Sequence, residues 1–155
     1  VDFGIGTPER TAAGIDAQTL VRDHLSLVCP GSHPLAQRKA LKWADLAGHP
    51  VITVRPGYGI RPLIDGAAAS AGVQLEVVNE VTFLSTALWM AASGMGASIM
   101  PSAFARHAPA GLVVRKLRAP VLSRDICVVT RRGRSLSPAC AAFIALMRRE
   151  LGAAG

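Results

Sequence analysis

A chain of 155 residues, half of them hydrophobic, is long enough to bury a core as one domain or as two small lobes. No run approaches the roughly 18 apolar residues of a membrane span, because the longest, Leu84 to Met100, is cut by Ser85, Thr86, Ser93, Gly94 and Gly96. The formal charge of +7 admits an acidic ligand or a nucleic-acid neighbour, but aromatics are only 5% and none interleave with the arginine clusters, which excludes a base-stacking surface.

Val1 to Gly6 reads as a buried strand ending in Gly-Thr-Pro, and residues 7 to 19 as a loop. The chain begins inside this strand and without Met, so an upstream segment is expected; no signal peptide is evident. The organising stretch is Leu20 to Ala36. Leu25, Leu27 and Cys29 alternate with Ser26 and Val28, which predicts a strand. Pro30-Gly31 breaks it, and His33-Pro34 forces a turn.

Trp43 to Leu46 suits one helical turn, and Val51 to Val54 a compact strand. After Arg55-Pro56-Gly57-Tyr58-Gly59 a helix is predicted with Ile60, Leu63, Ile64, Ala67 and Ala71 on one face, closed by Gly72. Val73 to Val81 reads as a half-exposed strand. Ser85 or Thr86 is the expected cap of a helix running to Ala92, with Leu84, Leu88 and Ala91 inward. Ala97 to Met100 follows as a short strand, then a turn at Phe104-Ala105, a strand over Leu112 to Leu117, and a buried strand over Ile126 to Val129. Ser137-Pro138 starts a last helix whose stripe is Phe143, Ile144, Met147 and Leu151. Strand and helix alternate throughout, which predicts an α/β fold with a largely parallel sheet.

Four segments carry a resemblance: Val1 to Gly6; Asp23-His24-Leu25-Ser26-Leu27-Val28-Cys29-Pro30 leading to His33-Pro34-Leu35-Ala36; Ala91 to Pro101; and Arg124 to Val129 followed by Leu136-Ser137-Pro138-Ala139. In this order and spacing, nearly the whole chain resembles the C-terminal effector-binding region of LysR-type transcriptional regulators. The resemblance implies a fold like a type II periplasmic binding protein, with two Rossmann-like lobes, two crossing strands and a small-molecule cleft. On that pattern residues 22 to 121 form the second lobe, while 1 to 21 and 122 to 155 form an incomplete first lobe. It further implies homodimers or tetramers, a cytoplasmic location, and promoter DNA met only through an N-terminal helix-turn-helix that lies outside this sequence.

The first candidate site is Arg55 to Arg61. Backbone N–H groups at a helix start, with Gly57 and Gly59 permitting close approach, form an anion site. Arg61 is a candidate bidentate partner for a carboxylate, and Tyr58 a hydrogen-bonding or apolar cover. A dinucleotide fingerprint fails because residue 62 is proline. The plain alternative is a strand-to-helix turn with solvent-facing arginines; the resemblance places a cleft-lining loop here. The second candidate is Val81 to Thr86, where Thr82, Phe83, Ser85 and Thr86 stand at the carboxyl end of a strand; Ser85 and Thr86 serve equally as ordinary helix caps. The third is Gly6-Thr7, which faces the cleft in the family.

Catalysis finds no support: the four histidines are scattered, Asp23 and His24 are strand neighbours that point apart, and no Gly-x-Ser-x-Gly or His-Glu-x-x-His occurs. Cys29, Cys127 and Cys140 lack metal spacing and read as reduced core thiols. The expected protein is therefore no enzyme and holds no metal or cofactor. It senses a small, anionic or aromatic-acid effector. The alternatives are a solute receptor for transport with the same fold, and a fragment that only dimerises.

Overall fold

The structure is a computed structural model that describes residues 2–7 and 13–152. In chain order its elements are β1 (Phe3–Gly6), β2 (Ile15–Pro30), β3 (Leu41–Lys42), β4 (Pro50–Val54), α1 (Arg61–Ser70), β5 (Glu76–Val81) and α2 (Leu84–Ala92). β6 (Ala97–Pro101), α3 (Ser102–Ala105), β7 (Leu112–Arg118), β8 (Ser123–Arg131) and α4 (Pro138–Gly152) follow. The chain divides into two compact units, Val1–Asp23 with Ser123–Gly155, and His24–Leu122. It passes between them inside β2 and again just before β8.

The His24–Leu122 unit is built on the second half of β2, which pairs antiparallel with β6 and with β7. From β6 the sheet continues through β4 to β5, and β7 carries the short β3. The β4–β5, β4–β6 and β3–β7 pairings are parallel. A largely parallel sheet was the expectation; the observed one is mixed. The helical crossovers at α1 and α2 do make parallel neighbours, but strand direction leaves no trace in hydrophobic periodicity, so the opposed run of β2 was not legible.

The alternation along β2 is real, and both of its faces are covered. Leu25, Leu27 and Cys29 enter a core with Val51, Ile64, Trp43 and Ile99, while Val28 enters a second core with Ile52, Leu88 and Met100. Burial of side chains of this size contributes roughly 1.5–3 kcal/mol each. Trp43, fully buried in the tight turn Trp43–Leu46, donates its indole N–H to the Pro120 carbonyl at 3.0 Å, so its one polar atom is satisfied.

α1 buries Ile64 and Ala67 with Ile60 just before it, and Leu63 and Ala71 pack against the same core, as the spacing predicts. It ends where Gly72 takes φ +65°, so that the Val73 N–H reaches the Ala68 carbonyl (2.9 Å) and the Gly72 N–H the Ala69 carbonyl (3.0 Å). α2 departs from expectation at its start. Phe83 holds the cap position, no side chain caps the helix, and Ser85 and Thr86 lie inside its first turn. With β5 running to Val81, Thr82 and Phe83 are the whole connection, and the helix begins before either hydroxyl can occupy the cap.

In the other unit β1 pairs antiparallel with β8, β8 lies beside β2, and α4 follows. Three expectations fail here, at β1, at the start of β2 and along α4. β1 is not buried, since Ile5 is 54% exposed. β2 begins at Ile15, inside the segment read as loop, because Asp16, Gln18 and Thr19 belong to a solvated strand with no apolar alternation to reveal it. α4 starts as predicted, with Ser137 Oγ accepting the Cys140 N–H at 3.3 Å. Of its expected stripe only Ile144 is buried; Phe143 and Leu151 are exposed.

Candidate functional site

The pairing of Val54 with Val81 brings the carboxyl ends of β4 and β5 side by side, and both chains turn there into helices. In open α/β sheets this edge is where backbone N–H groups and loop side chains converge on ligands. The Arg55 N–H donates to the Val81 carbonyl at 2.9 Å, which carries the pairing one residue beyond the strand. The exposed Arg55 guanidinium lies 3.5 Å from the Thr82 hydroxyl, so the two candidate loops meet at this pair. Among the described residues no carboxylate lies within ion-pair distance of Arg55, so none of them compensates its charge. Gly57 takes φ +94°, a conformation that favours glycine. A side-chain carbon at Gly57 or Gly59 would meet nothing within 4 Å, so the loop lies open. Tyr58 stands 41% exposed beside them.

Arg61 is placed differently from its neighbours. Its Nε donates to both carboxylate oxygens of Asp65, at 2.9 and 3.0 Å, and its Nη1 to the Val54 carbonyl at 3.0 Å and to Glu80. The side chain is only 15% exposed. Its guanidinium pKa is raised, first by the hydrogen bond to Glu80, against desolvation and with help from Asp65. The sequence reading makes Arg61 a bidentate partner for a ligand carboxylate; here its one Nε–H is shared between the two oxygens of Asp65 on its own helix. Arg61 ties the start of α1 to the ends of β4 and β5, and so holds the loop that presents Arg55.

At the second loop Phe83 is 67% exposed, and Ser85 and Thr86 are exposed in the first turn of α2. Among the described residues nothing accepts the backbone N–H groups of Leu84, Ser85 and Thr86, so the positive end of this helix is open to an anion. One residue here escaped sequence reasoning. Thr53, on β4 two positions before Arg55, is fully buried and its hydroxyl has no hydrogen-bond partner among the described residues. The only trace of it was a polar residue inside the otherwise aliphatic Val-Ile-Thr-Val.

Gly6 and Thr7 lie in the other unit, Gly6 opposite Cys127 on β8 and Thr7 exposed just past β1. That unit also holds a cavity of about 230 Å³, lined by Val128, Ile144 and Ala145 with Gln18 and Arg148 joined by a hydrogen bond. No group of three or more metal-ligating side chains occurs among the described residues. The His33 and His49 rings approach to 5.4 Å, and His33 Nδ1 accepts the Leu35 N–H at 3.2 Å, capping the turn Pro34–Gln37. Burial, and then His49, lowers the His33 pKa. No helix among the described residues is long and apolar enough to cross a membrane.

Residues 1–152 match the model of the LysR substrate binding domain. The uncharacterized HTH-type transcriptional regulator YbhD of Escherichia coli (strain K12) is 35% identical over 147 residues, covering 94% of this chain and 46% of its own. The uncharacterized HTH-type regulator YfeR of Shigella flexneri is 34% identical over 97% of this chain and 49% of its own. The chain thus spans about half the length of these relatives. Among solved structures, the effector-binding domain of QuiR in complex with shikimate superposes with a TM-score of 0.78 at 26% identity, over 96% of this chain and 71% of that one. The cofactor-binding domain of the Cbl transcriptional regulator gives 0.80 at 26% identity, over 94% and 65%. These likenesses bear out the two-lobed α/β fold of the type II periplasmic-binding-protein kind.

Proposed function

The chain belongs to the LysR substrate-binding domain family, and from that premise we propose that its β4–α1 and β5–α2 loops receive a small carboxylate-bearing effector. Arg55, Thr82 and the open first turn of α2 bind the carboxylate. Gly57 and Gly59 let the ligand approach the backbone, while Tyr58 and Phe83 cover its apolar part. Arg61 shapes the loop from beneath. Gly6 and Thr7 join the proposal through the family resemblance alone. Effector binding changes how an attached helix-turn-helix engages its promoter, in a cytoplasmic regulator assembled from two or four copies.

The observation that carries this reading is the unbalanced charge of Arg55, held by Thr82 at the junction of two strand-to-helix turns. QuiR's bound shikimate is itself a carboxylate, which makes shikimate the first probe and a panel of aromatic and aliphatic carboxylates the second. The test is calorimetric titration and thermal melting of the chain and of Arg55→Met and Thr82→Val. A ligand present at one hundred times its Kd stabilises by about 2.7 kcal/mol. The expected result is stabilisation by at least one carboxylate, reduced tenfold or more in affinity by Arg55→Met. Equal affinity in that variant, or no response to any carboxylate at millimolar concentration, removes the site. A solute receptor has no observation in its favour, because YbhD and YfeR, each above 30% identity, are helix-turn-helix regulators.

A further inference from the structure

Charge in the His24–Leu122 unit is polarised across the sheet. Nine basic side chains and four acidic ones lie in this range, for a net +5. Asp65, Glu76 and Glu80 belong to α1 and β5, and β4, β6 and β2 separate β5 from β7. Four strand spacings amount to roughly 19 Å. On the β7 side stand six of the nine cations, Arg38, Lys39, Lys42, Arg115, Lys116 and Arg118, against Asp45 alone.

The arrangement on that side follows from register. Leu41 and Leu117 are partners on β3 and β7, and both are buried; the next pair, Lys42 and Arg118, therefore turns to the opposite, exposed face. Lys116 shares that face, two residues and about 6.6 Å before Arg118. Among the described residues no carboxylate lies within ion-pair distance of these three. Asp45, the one acid nearby, is occupied by Arg38 at 3.0 Å and by the Lys42 backbone N–H at 2.8 Å. Arg115 is turned away, its guanidinium donating to the carbonyls of Ala36 and Arg38. Like charges held side by side on a sheet destabilise it, and no carboxylate among the described residues relieves them.

We propose that Lys42, Lys116 and Arg118 form a docking face for the phosphate backbone of duplex DNA. The exposed aromatics of this unit, Tyr58, Phe83 and Trp89, lie on the β4–α1 loop, the β5–α2 loop and α2, so the face has no stacking platform for single strands. It carries no amphipathic helix to enter a lipid surface. An extended row of cations on strands instead suits a regular line of phosphates, read without sequence. The choice of DNA over other polyanions rests on the regulator reading, in which a helix-turn-helix holds this domain close to duplex and raises its effective concentration. Effector recognition plays no part in it.

The test is fluorescence anisotropy of a labelled 25-base-pair duplex of arbitrary sequence with the chain, without effector, from about 50 to 200 mM salt. Three neutralised phosphates give a slope of log K against log salt of about −2.7, a loss of roughly 40-fold across that range. The triple variant Lys42→Gln/Lys116→Gln/Arg118→Gln is expected to weaken binding at least tenfold at low salt and to bring the slope above −1. Its melting temperature should hold or rise, because the repulsion between like charges is removed; Lys116→Glu alone is the second variant, expected to weaken binding while Arg131→Gln/Arg134→Gln does not. No binding at low salt, an unchanged slope in the triple variant, loss only through Arg131 and Arg134, or tighter binding to phosphatidylserine vesicles at equal phosphate overturns the proposal.

Discussion

Arg55 and Arg61 stand six residues apart, one on the β4–α1 loop and the other opening α1, and the proposed function gives them different duties that two substitutions can separate. Arg61→Met keeps the apolar shaft but removes three interactions. The charge-assisted bond to the Val54 carbonyl is worth about 1.5 kcal/mol, the lower end for bonds made by charged groups, because it lies at a partly exposed end of the sheet. The pairs with Asp65 and Glu80, whose side chains are 54% and 41% exposed, are screened and add only about 0.2–1 kcal/mol each. The loss comes to about 2 kcal/mol, or a fall in Tm of roughly 4–8 °C for a chain of this size. Arg55→Met removes a single 3.5 Å contact on an exposed side chain, so its effect should stay within about 0.5 kcal/mol. Melts followed by circular dichroism test the pair, with effector titration alongside. Arg61→Met should melt early, and Arg55→Met should melt normally yet bind at least tenfold more weakly. An Arg61→Met protein that melts with the parent, or an Arg55→Met protein that melts several degrees lower, refutes the assignment.

Three more outcomes are expected. His33 has a depressed pKa in the fold, so it opposes protonation there more than in the unfolded chain. Its contribution is complete above the ordinary value of 6.5 and is lost as pH falls through the depressed one. Tm measured from about pH 7 to pH 5 should decline on the acid side, and His33→Asn, which keeps a cap acceptor without a titrating ring, should flatten that decline; a parallel profile counts against it. Gly96 takes φ +147°, and a side-chain carbon there would stand 2.9 Å from the Pro50 carbonyl oxygen. Gly96→Ala should cost about 3 kcal/mol in urea unfolding, from strain and overlap together, whereas Gly94→Asn, at φ +77° with open space, should cost under about 1 kcal/mol. Cys29 and Cys127 are buried, and burial raises the Cys29 thiol pKa against the pull of Arg115, while Cys140 is partly exposed. Maleimide should label Cys140 alone in the native protein, and fast labelling of Cys29 would contradict the packing.

How far the sequence speaks depends on whether burial leaves a period in it. β2 from Leu25 to Cys29, the apolar stripe of α1 with its flanking Ile60 and Ala71, and the buried turn at Trp43 were legible because apolar residues must recur at the spacing of the element that buries them. The first five residues of β2 and the exposed β1 obey no such demand, and there the expectation failed. Caps fall between these cases. Ser137-Pro138 announces α4 and does cap it, while Ser85 and Thr86 look equally suited at α2 and sit within its first turn. A cap depends on where the preceding strand stops, and only the paired register of β4 and β5 settles that.

The same limit decides what a charged residue is for. Arg55 and Arg61 are indistinguishable by type, and both flank the glycines expected to admit an anion. What separates them is that α1 places Asp65 one turn after Arg61, while the β4–β5 register places Glu80 beside it. The first of these partners is an i,i+4 pair visible in the sequence; the second lies nineteen positions away and appears only once the sheet is assembled. Lys42 and Arg118 make the converse case. They are far apart in the chain, and only the β3–β7 pairing sets them on one face with no acid between them. Excess positive charge was plain from composition. Which of it is spoken for by the protein's own carboxylates is a property of register, and Arg55 at one end of the sheet and Lys42, Lys116 and Arg118 at the other, with no carboxylate among the described residues within ion-pair distance, are where an anionic partner has most to gain.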